Sequence, residues 1–294
     1  MTGASSPLRS LVGRITTHTL LIGGMLVMLL PLVWMLCVSL LDAERAQAAT
    51  VSGDYLKLIP TEPRLSNYRD ALAQMSSVPW EGFLNALANS VVITVCCVVA
   101  TALSSSLVGF AFARLRFRGR GVLFVVMLAT MMLPAQVTLI PLFLLFRSLG
   151  WIDTLLPLIV PSFFGSAFFI FMYRQFIAQI PESLVEAAAI DGYGWLGIWW
   201  NIALPLCRPV TAICAVFTFV FVWNDFLSPL VFLHSDEQAT LAIALNGFRN
   251  QYGGVNNVHL LMAASLTTMI PCILLFLSAQ RQFIEGLGKG AVKG

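Results

Sequence analysis

Charged side chains are scarce in this 294-residue sequence. Asp, Glu, Lys and Arg together make up 11% of it, whereas an average soluble domain contains about 25%. Hydrophobic residues make up 58%, and the mean hydropathy is +0.85. This composition excludes a soluble globular enzyme, a disordered chain and a nucleic-acid-binding module. The net charge of +3 is also too small to indicate a polyanionic partner.

The sequence also lacks the motifs of common catalytic sites. A P-loop needs Gly-Lys followed by Ser or Thr, but none of the three lysines, Lys57, Lys289 and Lys293, precedes a hydroxyl residue. The three histidines form no HExxH motif, and no GxSxG nucleophile elbow occurs. We therefore expect no ATP site, no metal site and no cofactor in this chain, and no enzymatic activity of its own.

Cysteine is sparse and forms no recognisable pattern. The six cysteines include no CxxC pair, and they lie in or beside apolar stretches rather than in the long polar loops. Neither a disulfide framework nor a zinc site is indicated. We interpret the cysteines as small apolar packing residues.

Long uncharged stretches dominate the sequence. Six of them reach the length of about 20 apolar residues that a membrane-spanning helix requires, and only the fifth contains a charged residue, Asp225. The first is longer than the apolar core of a signal peptide, so we interpret it as a retained helix. The sequence predicts an all-α integral membrane protein with six transmembrane helices, at about 19–41, 87–112, 122–146, 155–173, 210–233 and 260–279.

The distribution of Lys and Arg predicts the orientation in the membrane. Cytoplasmic loops carry an excess of these residues. Eleven of the 17 lie in the two termini, in the loop after the second span and in the loop after the fourth, and six lie on the opposite side. Both termini are therefore predicted to be cytoplasmic, and the strongest anchor is the cluster Arg114, Arg116, Arg118 and Arg120.

These spans divide the chain into segments. We predict a cytoplasmic N-terminus, a first span, an extracytoplasmic segment with one or two short helices, a five-helix core and a cytoplasmic tail, at 1–18, 19–41, 42–86, 87–279 and 280–294. The core includes a cytoplasmic loop at 174–209. The segment 234–259 is predicted to be an outer loop or half-helix.

Six prolines fall within the predicted spans, at positions 134, 141, 157, 161, 229 and 271. Two interpretations stay open: the prolines serve packing geometry alone, or they bend helices around a substrate path. Small residues at a spacing of four, Ser105, Gly109 and Ala113, predict a close helix-packing face on the second span.

The loop between the fourth and fifth spans has the most specific pattern. Pro181 stands at the first turn of a predicted short helix, acidic residues follow it, and Gly192 is suited to end it. Its alanines would allow a partner to approach closely. A second short helix is predicted to end before Leu204-Pro205. One of its faces carries Trp195, Ile198, Trp199 and Ile202, and its tryptophans favour a position at the membrane surface.

This loop carries a resemblance to a known family. Glu186-Ala187-Ala188, then Asp191-Gly192, and Leu204-Pro205 twelve residues later, resemble the EAA loop of binding-protein-dependent ABC importer permeases. The remaining chain is similar to the MalG-like branch of sugar permeases. Three stretches carry this similarity: Leu133-Pro134 to Ile140-Pro141, Trp223-Asn224-Asp225-Phe226, and the tail Gly286–Gly294. Tyr193 departs from the family pattern, which usually has a small residue after the glycine, and this bears on how tightly the loop docks.

The resemblance implies a type I ABC importer fold and a heteromeric complex in a bacterial or archaeal cell membrane. The implied partners are a second related permease, two copies of an ATPase subunit that binds ATP and Mg, and an extracytoplasmic solute-binding protein. The family branch carries maltose, trehalose, other oligosaccharides, polyols and glycerol 3-phosphate, so the solute stays open. The expected ATPase-coupling residues are Glu186, Ala187, Ala188, Asp191, Gly192, Leu204 and Pro205.

Two other classes of protein fit less well. A secondary transporter normally places several ionisable residues in the membrane and contains inverted repeats, whereas only Asp225 lies in a span and no repeat is evident. A membrane-embedded enzyme would need a catalytic set that the sequence does not contain. Copurification with an ATPase subunit would separate these classes from an ABC permease.

Asp225 leaves two interpretations open. An acid in a span is expected to face the bundle interior or a wet cavity. It lies fifteen residues beyond Val210, or about 22 Å along a helix, which is nearer the outer surface than the midplane. Trp223, Asn224 and Asp225 are therefore predicted to line the outer part of the solute pathway. Alternatively, Asp225 forms a structural hydrogen bond to a neighbouring helix.

Overall fold

A computed structural model describes residues 7–52, 58–74, 81–252 and 257–291, and every regular element in these ranges is helical. The helices are α1 Pro7–Ser39, α2 Ala43–Ser52, α3 Ser66–Gln74, α4 Glu81–Arg114, α5 Arg120–Thr130, α6 Ala135–Ser148, α7 Leu156–Ile159, α8 Ala167–Ile177, α9 Glu182–Ile190, α10 Trp195–Ile198, α11 Leu204–Leu206, α12 Arg208–Trp223, α13 Leu227–Phe232, α14 Leu241–Tyr252 and α15 Val258–Ala291. Two 3₁₀ turns, Val160–Phe164 and Asp236–Gln238, and a π turn, Trp199–Ala203, lie between them.

The predicted fold class is confirmed, but the count of six continuous spans is not. Within the described ranges, four helical segments are long and apolar enough to cross a membrane: Gly13–Ser39, Gly82–Arg114, Leu156–Ile177 and Val258–Ser278. A fifth candidate is the pair Trp195–Leu206 and Arg208–Trp223, which is bent by 79° at its break. The chain is a multi-pass membrane protein.

Three of the predicted spans are interrupted. The fourth breaks at Gly165 and Ser166, between the 3₁₀ turn Val160–Phe164 and α8. The third is divided into α5 and α6, and Pro134 precedes α6 with an extended backbone, φ −62° and ψ 132°, because proline cannot donate the amide that a continuous helix needs. The fifth stops at Trp223 and resumes as α13. There the amide of Ser228 donates to Oδ1 of Asp225 at 3.2 Å, so the acid, one residue before the N-cap Phe226, pairs an amide that the first turn of α13 leaves free.

The chain divides into two compact units, Met1–Ser76 with Gly247–Thr268 and Ser77–Asn246 with Met269–Gly294. In the first unit, α2 and α3 are the short helices predicted between 42 and 86. Asn67 of α3 closes the end of α1, since its Nδ2 donates to the carbonyl oxygens of Ser39 and Leu41 at 2.9 and 2.7 Å. This side chain satisfies backbone acceptors that the helix end leaves free.

In the second unit, α4 packs closely against α8. The amide of Ser166 donates to Oγ of Ser105 at 3.0 Å. A Cβ added to Gly109 would lie 2.7 Å from Cβ of Tyr173, well inside the optimal carbon separation of about 3.5–4.0 Å. The close-packing face predicted from small residues on the second span is therefore confirmed at Ser105 and Gly109.

Asp153 ties together two loops of the second unit, and we call Asp153, His234 and Ser235 the Asp153 clamp. Oδ1 of Asp153 accepts hydrogen bonds from the amides of His234 and Ser235, both at 2.9 Å, and from Oγ of Ser235 at 3.0 Å. The two amide hydrogen bonds, His234 first, lower the pKa of Asp153 because they stabilise the ionised carboxylate. Asp153 has a φ of 62°, a left-handed conformation that aspartate tolerates better than most residues.

Candidate functional site

The EAA loop, 174–209, contains the short helix α9. Pro181 forms its N-cap and Glu182 lies in its first turn, where a negative charge is favourable. The helix ends in a Schellman motif, because the amide of Tyr193 donates to Ala188 O at 3.0 Å and that of Gly192 to Ala189 O at 3.1 Å. Gly192 has a φ of 89°, which glycine adopts without strain. The helix predicted from Pro181 and Gly192 is confirmed.

One face of α9 is anchored inside the protein. Val185 and Ala188 are buried in a cluster with Phe110 of α4 and with Tyr173 and Ile177 of α8. Residues three apart on a helix share a face, so this face of α9 belongs to the buried core that α4 and α8 also line. Ala188 is therefore buried within its own chain, which distinguishes it from the exposed residues of the EAA motif.

The opposite face of α9 is exposed. Glu186, Ala187, Asp191 and Gly192 all lie on the surface. Ile190 exposes 87% of its surface, and Leu184 and Leu196 are exposed as well. Scattered exposed apolar residues are ordinary, but a large aliphatic side chain that is almost fully exposed beside the EAA motif is suited to contact another protein.

The chain after Gly192 differs from the prediction. Instead of ending before Leu204-Pro205, the helical stretch runs from α10 through the π turn into α11 and stops at Leu206. Pro205 falls in the first turn of α11, where its missing amide is not required. Leu204 is half-buried and Pro205 is exposed. Ile198 is buried in the same cluster as α9, and Trp199 and Ile202 pack against it.

Arg114, the last residue of α4, holds the start of the EAA loop. Its Nη2 donates to the carbonyl oxygen of Ile177 at 2.8 Å and to that of Ile180. Ile177 ends α8, so the guanidinium binds at the negative end of that helix. From the sequence alone, Arg114 predicts only the orientation in the membrane, because no sequence pattern indicates contacts to carbonyls more than 60 residues away.

The second unit also contains a cavity of about 580 Å³, lined by parts of α4, α6, α8, α12 and α13. Small-molecule sites typically measure about 300–1,000 Å³. Trp223 and Asp225 line the cavity. Asn224 is exposed and is absent from its lining, and its Nδ2 donates to Val220 O at 2.8 Å. The lining also includes Pro157, Pro161 and Pro229, which favours the interpretation that prolines bend helices around a path.

Broken apolar spans around a cavity, together with a helical loop anchored on one face, define a membrane transport subunit. A family model described as "Binding-protein-dependent transport system inner membrane component" matches residues 105–288. The chain belongs to this family, the permease components of ABC importers, and the MalG-like sugar type identified from its EAA loop is confirmed.

Three curated relatives are permeases whose names specify oligosaccharides or glycerol 3-phosphate. The chain is 39% identical over 206 residues to the arabinooligosaccharide permease AraQ of Halalkalibacterium halodurans, covering 70% of this chain and 73% of the relative. It is 32% identical to the melibiose/raffinose/stachyose permease MelC of Bacillus subtilis, with 82% and 86% covered. It is 31% identical to the glycerol-3-phosphate permease UgpE of Shigella flexneri, with 93% and 95% covered.

A solved structure shows the same architecture. A chain of a bacterial ABC transporter involved in the import of the acidic polysaccharide alginate superposes with a TM-score of 0.79 at 25% identity. The match covers 95% of this chain and 99% of that chain.

Proposed function

We propose that this chain is one of two permease subunits of an ATP-driven importer for a sugar or related solute, and that the ATPase docks on the exposed face of α9. The observation that carries the proposal is the two-sided packing of this helix. Val185 and Ala188 hold it in the bundle, while Glu186, Ala187 and Ile190 are free for a partner. A helix held in this way passes a displacement by its partner to α4 and α8.

The proposed assembly follows the resemblance and the relatives. It contains a second related permease, two ATPase subunits that bind ATP and Mg, and an extracytoplasmic solute-binding protein. Both termini and the EAA loop face the cytoplasm, in line with the excess of Lys and Arg there. Glu186 pairs with a basic group of the ATPase, and Leu204 and Pro205 end the docking loop. Of the predicted pathway residues, Trp223 and Asp225 line the cavity and belong to the solute pathway, whereas Asn224 lies outside its lining.

Cross-linking from single cysteines tests the docking surface. Ile190→Cys should cross-link to the ATPase, whereas Ala188→Cys, only 4% exposed in the native helix, should not. The experiment uses the full permease coexpressed with the second permease and the ATPase subunit of its transporter. Absence of a cross-link from Ile190→Cys in every nucleotide state, although the complex assembles, would overturn the docking proposal.

Two glycines provide a matched comparison of loop geometry. A Cβ would find open space at both Gly192 and Gly194, but only Gly192 has a positive φ. Gly192→Ala forces a left-handed conformation that costs roughly 1–2 kcal/mol, so it should lower ATPase copurification and solute uptake. Gly194→Ala should leave both unchanged. If both variants copurified with the ATPase and took up solute equally well, the Schellman turn would not position the surface on which the ATPase docks.

A further inference from the structure

The ring of Phe124 joins α5 to two other helices of the second unit. None of the residues of α5 is buried, and among the helices α5 packs mainly against α8. The Phe124 ring stacks against Phe171 of α8, with ring centroids 6.3 Å apart, and meets Phe112 of α4 edge-on at 5.4 Å. Both arrangements are favourable for aromatic pairs. Phe124 thus ties a helix without buried residues to both α4 and α8.

The guanidinium of Arg174 lies over this ring. Cζ of Arg174 is 4.2 Å from the ring centroid of Phe124, within the distance of about 6 Å at which an aromatic face attracts a cation. Arg174 is half-buried, and its guanidinium forms no hydrogen bond or ion pair with the described residues. Arg174 and Phe171 are three residues apart on α8 and share a face, so together they hold the ring of Phe124.

Arg174 is also the first residue of the EAA loop. It lies one turn before Ile177, whose carbonyl oxygen binds Nη2 of Arg114 and whose side chain is buried in the same cluster as Val185 and Ala188 of α9. Packed side chains and rigid helices carry coupling between distant sites. A movement of α9 therefore reaches Arg174 through this cluster.

The other end of α5 leads to the cavity. The amides of Met131, Met132 and Leu133 donate to carbonyl oxygens of α5 at 3.1–3.2 Å, so the hydrogen-bonded path continues as far as Pro134, and α6 follows. Leu142 of α6 lines the cavity. The segment from α5 to α6 therefore connects the Phe124 ring with one wall of the cavity.

We propose that Arg174 and Phe124 form a positioning contact for energy coupling, through which a displacement of the EAA loop moves the α5–α6 segment and one wall of the cavity. The inference rests on the proposed function, because it takes the ATPase docked on α9 as the source of the displacement. Neither residue belongs to the EAA motif or lines the cavity, so both act through other residues. Their role depends on a cation that meets the face of an aromatic ring.

Thiol labelling of the cavity wall tests this contact in the full transporter. The permease is coexpressed with the second permease and the ATPase, and the complex is compared without nucleotide and after trapping with MgATP and vanadate. Leu142→Cys reports on α6, and Phe221→Cys, on α12 in the same cavity, is the reference reporter. The uncharged N-ethylmaleimide is the probe, and the native chain gives the background. We expect trapping to change the labelling rate of each reporter at least about fivefold.

Substitutions of the two residues should separate the reporters. Arg174→Gln and Phe124→Leu should each reduce the change at Leu142→Cys to about twofold or less, because the attraction between cation and ring is lost, while Phe221→Cys still responds fully. Arg174→Lys and Phe124→Trp keep a cation and an aromatic face, so they should keep most of the response. Arg118 is exposed in the loop before α5 and provides the matched control, because Arg118→Gln removes the same charge and should affect neither reporter.

Three results would overturn the inference: no change at Leu142→Cys without the other substitutions, a change that persists in both Arg174→Gln and Phe124→Leu, or an equal loss at both reporters. The last would mean that the two residues support the whole bundle rather than position α5. Copurification of the ATPase is measured for every variant. A native permease that does not copurify with the ATPase would overturn the proposed function and this inference together, whereas any of the three results in an assembled complex would overturn this inference alone.

Discussion

Two loop junctions of the second unit are each held by one charged side chain, but the charges are opposite. Arg114 donates to carbonyl oxygens at the end of α8 and fixes the start of the EAA loop. Asp153 accepts from the amides of His234 and Ser235 and fixes the loop after α13. Each charge binds the backbone groups that a chain segment leaves unpaired at its end.

The chemical difference between the two junctions has a consequence for their stability. An arginine stays protonated at every pH that a cell reaches, so the junction at the EAA loop is permanently held. A carboxylate can be protonated, so the Asp153 clamp weakens in acid. The EAA loop, which is proposed to carry energy coupling, is thus held by a side chain that keeps its charge. The three predictions below test this contrast between the two junctions.

Removing the guanidinium of Arg114 should lower the stability of the protein more than the other changes predicted here. Arg114→Ala is expected to lower the free energy of unfolding by about 2–4 kcal/mol, because two carbonyl groups lose a charged donor. Arg114→Lys should restore only part of this, since an ammonium lacks the planar fork of guanidinium donors. Thermal unfolding of the purified permease, followed by tryptophan fluorescence, measures the loss.

Arg116 is the matched control for this experiment. It belongs to the same cluster but is exposed, so Arg116→Ala should leave the unfolding temperature unchanged. If Arg114→Ala and Arg116→Ala behaved alike, Arg114 would act only through the charge of the cluster and not as a helix cap.

Local signals in the sequence predicted local structure well. Pro181 and Gly192 fix the two ends of α9 through a missing amide and a positive φ, and both effects depend on the residue itself. The small residues Ser105 and Gly109 likewise predicted a close-packing face, because small side chains let a partner helix approach closely.

Features that depend on distant residues could not be predicted. The partners of Arg114 and Asp153 lie more than 60 and about 80 residues away, and neither contact leaves a periodic pattern. The contact between Phe124 and Arg174 depends in the same way on how α5 meets α8. The break at Asp225 was missed because the stretch around Asn224 and Asp225 is otherwise apolar, and hydropathy alone does not reveal a side chain that binds an amide in the first turn of a new helix.

The Asp153 clamp should show a smaller effect that depends on pH. The folded-state pKa of Asp153 is lowered, so its contribution to stability is present above the unfolded pKa of about 3.9 and is lost as pH falls through the folded value. Asp153→Asn should therefore lower the unfolding temperature at pH 7, by less than Arg114→Ala, and the gap to the native protein should narrow as the pH falls below about 5 and close only below the folded-state pKa.

Unfolding temperatures measured from pH 7 to pH 3 test the clamp directly. Asp236, an exposed acid two residues beyond His234, provides the control, and Asp236→Asn should show no pH-dependent difference from the native protein. A gap between native protein and Asp153→Asn that is as wide at pH 3 as at pH 7 would mean that the carboxylate does not act through its charge.

The smallest effect concerns Tyr193, the residue that departs from the family pattern beside the Arg114-anchored loop. A Cβ on Gly197 would lie 2.9 Å from Cδ1 of Tyr193, so Gly197 makes room for the tyrosine ring. Gly197→Ala should cost about 1 kcal/mol of unfolding free energy, because the ring must move from its packed position.

In a Tyr193→Ala background the same change should be neutral or stabilising, since alanine favours a helix more than glycine does. A double-mutant cycle measures the coupling between the two positions. If Gly197→Ala had the same effect in both backgrounds, the ring would not depend on this glycine, and the departure at Tyr193 would need another explanation.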